Sequence, residues 1–85
     1  MSGGEPAVVR LSHDLARNFV NLPPGQAPVE LATHITKFWE PRMRAELLAH
    51  VRADDVSLDP IVVAAAGLLR QDEVDRAEMA EPSGG

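Results

Sequence analysis

The three histidines carry the richest chemistry in this chain, and their spacing limits what they can do. His13, His34 and His50 fall in three separate amphipathic segments. No two of them stand four apart, the spacing that sets a pair of imidazoles on one helical face to hold a metal ion. Glu46 and His50 are four apart and can share a metal or a hydrogen bond, but two ligands without a third make no site. Cysteine is absent, so there is no thiolate metal site, disulfide framework or sulfur nucleophile. Ser2 and Ser83 lie near the ends, Ser12 and Ser57 read as cap or turn residues, and none stands in a Gly-x-Ser-x-Gly context. Glycine pairs occur at Gly3-Gly4 and Gly84-Gly85, with no Gly-rich loop to cradle a phosphate. The expectation is a chain without catalytic, metal or cofactor-binding residues of its own.

The stretch Phe38-Trp39-Glu40-Pro41-Arg42-Met43-Arg44 is the most informative. It holds two of the three aromatic residues and, with Lys37 beside it, three of the eight basic ones. Arg42 and Arg44 occupy the first turn of a helix beginning at Pro41, where the helix dipole disfavours cations by a few tenths of a kcal/mol each. Two readings fit. In one, the stretch is a corner clamped by local ion pairs, Arg42 with Glu46 among them, and Trp39 closes the core. In the other it is a contact surface, since Trp and Arg are enriched at binding hot spots and Arg offers a planar fork to carboxylates or carbonyls.

Four apolar-periodic segments position these residues, and no internal repeat is present. In the first, about Val8 to Asn21, Leu11, Leu15, Phe19 and Leu22 share one helical face; Ser12 is a candidate N-cap, and Pro23-Pro24-Gly25 ends it. In the second, about Ala27 to Trp39, Pro28 suits the first turn, and Leu31, Ala32, Ile35, Phe38 and Trp39 line one stripe. Pro41 forces a break after Glu40. The third, about Pro41 to Ala53, turns Met43, Leu47, Leu48 and Val51 to one side. The fourth opens at Asp59-Pro60, a side-chain cap followed by proline at the first helical position, and runs to about Arg70. It is apolar all round, so it is either the central helix of a bundle or a helix with apolar surface left for a partner. Ile61 and Val62 belong to that apolar run. A strand competes over Ile61 to Val63, but the three alanines that follow and the preceding Asp-Pro favour helix. The expected fold is all-α: a small bundle of about four short helices joined by proline-containing turns. Residues 1–7 and an acidic tail, 72–85, are expected to be flexible, with the helical domain at 8–71.

Composition sharpens this. The chain has 85 residues, one domain at most, and 45% of them are apolar, 12 being alanine. So thin a core in so short a chain asks for a staple or a partner, and no staple is visible. The net charge of −5 divides into −4 on residues 71–85 and −1 on the rest. That balance argues against nucleic acid and against a helix-turn-helix reading of segments two and three. No run of about 18 apolar residues exists to span a membrane, and Met1 to Pro6 lacks the features of a signal peptide. A cytoplasmic protein is expected.

The residues from Leu15 to Leu69 resemble the delta subunit of bacterial NAD-dependent, molybdenum-containing formate dehydrogenases. The resemblance is carried by Ala32-Thr33-His34-Ile35, by Phe38 to Arg44, by Leu47-Leu48-Ala49-His50-Val51, and by Leu58-Asp59-Pro60 with the apolar helix after it. It implies a non-catalytic accessory subunit that supports assembly or stability of the catalytic subunits. Partners would be the larger subunits, first among them the molybdenum-binding one. The complex it resembles carries a molybdenum bis-pterin cofactor, iron–sulfur clusters, FMN and NAD; none is expected in this chain. The residues expected to bind the partner are Phe38, Trp39, Arg42, Arg44, Ile61 and Val62. The alternative is a self-associating helical adaptor or regulator unrelated to formate, which would bury the surplus apolar surface by dimerisation.

Overall fold

A computed structural model describes residues 5–54 and 57–79, with side chains described up to 72. Its four helices are α1 (Ala7–Arg17), α2 (Gln26–Phe38), α3 (Pro41–Ala53) and α4 (Pro60–Met79). There is no strand among the described residues, so the all-α expectation holds. The broadest packing is α2 against α4, and α1 touches each of the other three. Ala65 and Ala66 are buried on α4. Side chains this small at a helix–helix seam allow the axes to approach at the short end of the usual 8–10 Å.

The start of the chain departs from the expected pattern. The helix begins at Ala7 behind Pro6, whose carbonyl accepts from the Val9 and Arg10 amides, both at 3.0 Å. Its buried face is Val8, Val9, Ser12 and Ala16, whereas Leu11 is 43% exposed. Val8 and Val9 reach the core because α1 starts early enough to include them. Ser12 is therefore not a cap. It sits mid-helix, fully buried, and its Oγ donates to the Val9 carbonyl at 2.7 Å. Donation back to a carbonyl within the preceding turn lets a helical serine be buried without an orphaned hydroxyl. The helix also stops sooner than expected. Beyond Arg17 the amides of Asn18, Phe19 and Leu22 donate three residues back, as in successive turns, and Leu15 and Phe19 rest on the edge of the core.

The remaining boundaries follow the sequence more closely. Pro28 lies in the first turn of α2 and Pro41 opens α3, where neither lacks an intrahelical partner. Between these two helices Trp39 and Glu40 are extended, with ψ of 144° and 152°. That break folds the Trp39 side chain onto the core and leaves Phe38 outside it. Phe38 is 70% exposed, which corrects its expected place in the apolar stripe. At the far end of α3, Asp54 takes a left-handed conformation (φ 54°) and donates its amide to the His50 carbonyl at 2.9 Å. An αL residue closing a helix this way is a known C-terminal cap, and Asp is among the few non-glycine residues that adopt it readily. The helical backbone of α4 runs on to Met79, past its expected end near Arg70, so the expected division at residue 72 does not fall at an element boundary. Residues 1–4 and 80–85, to which the rest of the expected flexible ends belongs, lie outside the described residues.

One core unites the helices. Val9, Leu31, Ile35, Leu47 and Val62 are fully buried in it, Trp39 belongs to it, and Leu58, Ile61, Met43 and Val51 pack against it.

Candidate functional site

The histidines do not converge. Among the described residues no group of three His, Asp or Glu side chains is placed to hold a metal ion. His34 stacks on Phe38 one turn later, their ring centroids 4.7 Å apart at a tilt of 42°. His13 ties two segments together. Its Nε2 accepts the backbone N–H of Asp59 at 3.2 Å, which requires that nitrogen to be unprotonated and places the ring proton on Nδ1, 2.9 Å from Glu5 Oε2. Asp59 in turn caps α4. Its Oδ1 accepts the Ile61 amide at 2.8 Å and its carbonyl accepts that of Val63 at 3.0 Å. The chain Glu5–His13–Asp59–α4 thus fastens the start of α4 to α1. Sequence spacing gave no sign of it, because the partners stand eight and 46 positions from His13.

The six residues expected to meet a partner separate into three groups. Trp39 is 9% exposed and Val62 is fully buried, and both belong to the core. Ile61 is half-buried against that core, and Arg44 is half-buried at the start of α3. Phe38 and Arg42 face outward. The local clamp allowed by the sequence does not form around Arg42 or Lys37. The neutral His13 ring donates to Glu5 at 2.9 Å, the exposed Arg17 pairs with Asp14 at 3.7 Å, and neither Arg42 nor Lys37 takes part in these contacts. The corner between α2 and α3 thus presents an exposed aromatic side chain and the exposed cations Lys37 and Arg42 within five residues, next to the buried Trp39.

A second feature lies along α4. One side of this helix, through Val62, Ala65, Ala66 and Leu69, is in the core. The opposite side shows Val63 (45% exposed) and Leu68 (42%), with Ala64 and Gly67 between them. A Cβ built on Gly67 meets nothing within 4 Å. Leu68 also borders a groove of about 350 Å³ between α4 and α2, lined by Val29, Ala32, Thr33, Thr36 and Lys37. Both alternatives left open for α4 therefore hold in part: the helix is central to the packing on one side and uncovered and apolar on the other. The groove was missed in the sequence. Val29 stands outside the apolar stripe of α2, and that displacement was the signal available.

None of the helices is long and apolar enough to cross a membrane among the described residues. No curated protein and no solved structure matches the chain. A family model does, over residues 7–66, from the first residue of α1 to the seventh of α4, and includes the Phe38–Arg44 corner. The chain belongs to the NADH-dependent formate dehydrogenase delta subunit family, FdsD.

Proposed function

We propose that this chain is a non-catalytic accessory subunit of a cytoplasmic NAD-dependent formate dehydrogenase, and that it binds the larger subunits and supports their assembly or stability. The observation that carries this reading is the uncovered apolar side of α4, Val63 to Leu68, on a chain whose family is that of a dehydrogenase subunit. Ten successive residues, Pro60 to Leu69, are uncharged, although only one side of the helix is used by the core. Apolar surface left over in this way fits a helix of another protein better than it fits water. The donor set agrees with a supporting role. With no cysteine and no convergent triad of His, Asp or Glu among the described residues, this chain has no evident means to ligate an iron–sulfur cluster or a metal centre. The molybdenum cofactor, clusters, FMN and NAD of the complex belong, in this reading, to the larger subunits, and the molybdenum-binding one is the first candidate for contact.

Co-expression of the full chain with affinity-tagged catalytic subunits tests the proposal. The chain is expected to co-purify with them, and its omission is expected to lower the yield or activity of the complex. A chain that elutes alone while a complete and fully active complex forms without it would overturn the reading.

A further inference from the structure

We infer that the corner between α2 and α3 is a docking knob: Phe38 enters an apolar pocket on a larger subunit whose rim carries carboxylates, and Lys37 and Arg42 pair with that rim. The inference rests on the accessory-subunit reading and names the surface and the chemistry of the partner.

Three observations converge on it. Among the described residues Phe38 is the most exposed of the large apolar side chains, at 70%, in a chain with only three aromatic residues. Leaving a ring of this size in water forgoes the burial that a core position would supply. The ring is also held in place. Trp39, its neighbour, is fixed in the core, the backbone between the helices is extended and ends in a proline, and His34 stacks on the ring at 4.7 Å. An aromatic side chain positioned before binding loses little freedom on docking, and this is what makes such residues effective anchors.

The third observation is charge. Residues 37–44 carry Lys37, Arg42 and Arg44 against Glu40, a net of +2, in a chain whose total is −5. The corner is therefore a basic spot on an acidic molecule. Arg42 and Lys37 are exposed and form no ion pair among the described residues. Arg42 stands in the first turn of α3, where the dipole opposes it, so the helix does not account for its charge. An acidic rim on the partner would. Such a rim would also steer the encounter and make it sensitive to salt.

The experiment uses the full chain co-expressed with tagged formate dehydrogenase subunits. It compares wild type with Phe38→Ala, Phe38→Asp, the double change Lys37→Glu with Arg42→Glu, and Leu11→Asp as an exposed control on α1. Each isolated variant is first melted by circular dichroism, and all are expected within about 2 °C of wild type because every altered side chain is exposed. The Phe38 variants and the double variant are expected to be retained at least tenfold less than wild type, and the control equally to it. Retention of wild type is expected to fall as sodium chloride rises from about 0.05 to 0.5 M, a range over which the Debye length shrinks several-fold. If wild type is retained and the Phe38 and charge-reversed variants are retained equally well, the docking knob is wrong while the accessory-subunit reading stands. If wild type itself is not retained, that reading fails first. A wild-type chain that sediments alone as a dimer, with the Phe38 variants monomeric, would assign the corner to a second copy and overturn the inference.

Discussion

Replacing Gly67 with alanine separates what α4 does within the chain from what it does for a partner. Glycine inside a helix is less favourable than alanine by about 0.8–1.0 kcal/mol, through its backbone entropy in the unfolded state. Natural helices accept that cost where a neighbouring backbone needs the space. Here it is not needed within the chain: Gly67 lies well inside α4, and a Cβ added to it meets nothing within 4 Å. The helical conformation also suits alanine. Gly67→Ala is therefore expected to stabilise the isolated chain by about 1 kcal/mol. For a domain of this size that raises the melting temperature by about 4–8 °C. Thermal and urea melts followed at 222 nm read both quantities, with an unchanged urea slope showing that compactness is preserved. An unchanged or lowered melting temperature would refute the reasoning, because it would mean that the space over Gly67 is already occupied in the folded chain. The partner side has its own arm. Gly67→Glu keeps most of the gain in helix propensity but sets a charge between Val63 and Leu68. It is expected to melt no lower than wild type and to be lost from the dehydrogenase complex. Retention equal to wild type would show that this side of α4 faces water in the assembly.

Two further substitutions test the packing. Trp39→Ala removes a side chain that is 9% exposed and is expected to cost about 3–5 kcal/mol in urea melts, against a total of about 4–13 kcal/mol for a chain of this length. A cost near that of an exposed residue, below about 0.5 kcal/mol, would remove Trp39 from the core. Asp59→Ala removes the side-chain cap of α4 and leaves the His13 link to the backbone in place, so a loss of about 1 kcal/mol is expected. His13→Phe, by contrast, leaves the Asp59 amide without its acceptor and is expected to cost about 1–3 kcal/mol. Equal melting of the His13 variant and wild type would show that the α1–α4 fastening does not contribute.

Much of the fold was legible because proline, cap and period signals are local. Asp59-Pro60 marks the start of α4, and the apolar period with Pro41 at its head predicts α3 over Pro41 to Ala53, its observed span. Errors arose where a residue's burial depends on elements distant in sequence. Over the first segment two apolar faces compete, Val8-Val9-Ser12-Ala16 and Leu11-Leu15-Phe19, and periodicity alone favours the one with the larger side chains. The packing of α3 and α4 against α1 selected the other. The candidate site shows the same division. The Phe38 to Arg44 run was conspicuous from its composition, but Phe38 and Trp39 were indistinguishable as neighbours in one apolar stripe.

The sequence by itself determined the number of helices, the corner at Pro41, the missing cysteine chemistry and the charge of the Phe38–Arg44 run. Each follows from residue type or from spacing within a few positions. Only the tertiary structure decided which apolar residues are spent inside the chain and which are left over. Trp39 and Val62 went inward, while Phe38, Val63 and Leu68 stayed outside. The physical reason is that burial is a property of the space between helices. Where Trp39 folds back and where α2 meets the alanines of α4, that space is filled. At the corner and on the outer side of α4, no part of the described chain arrives to fill it.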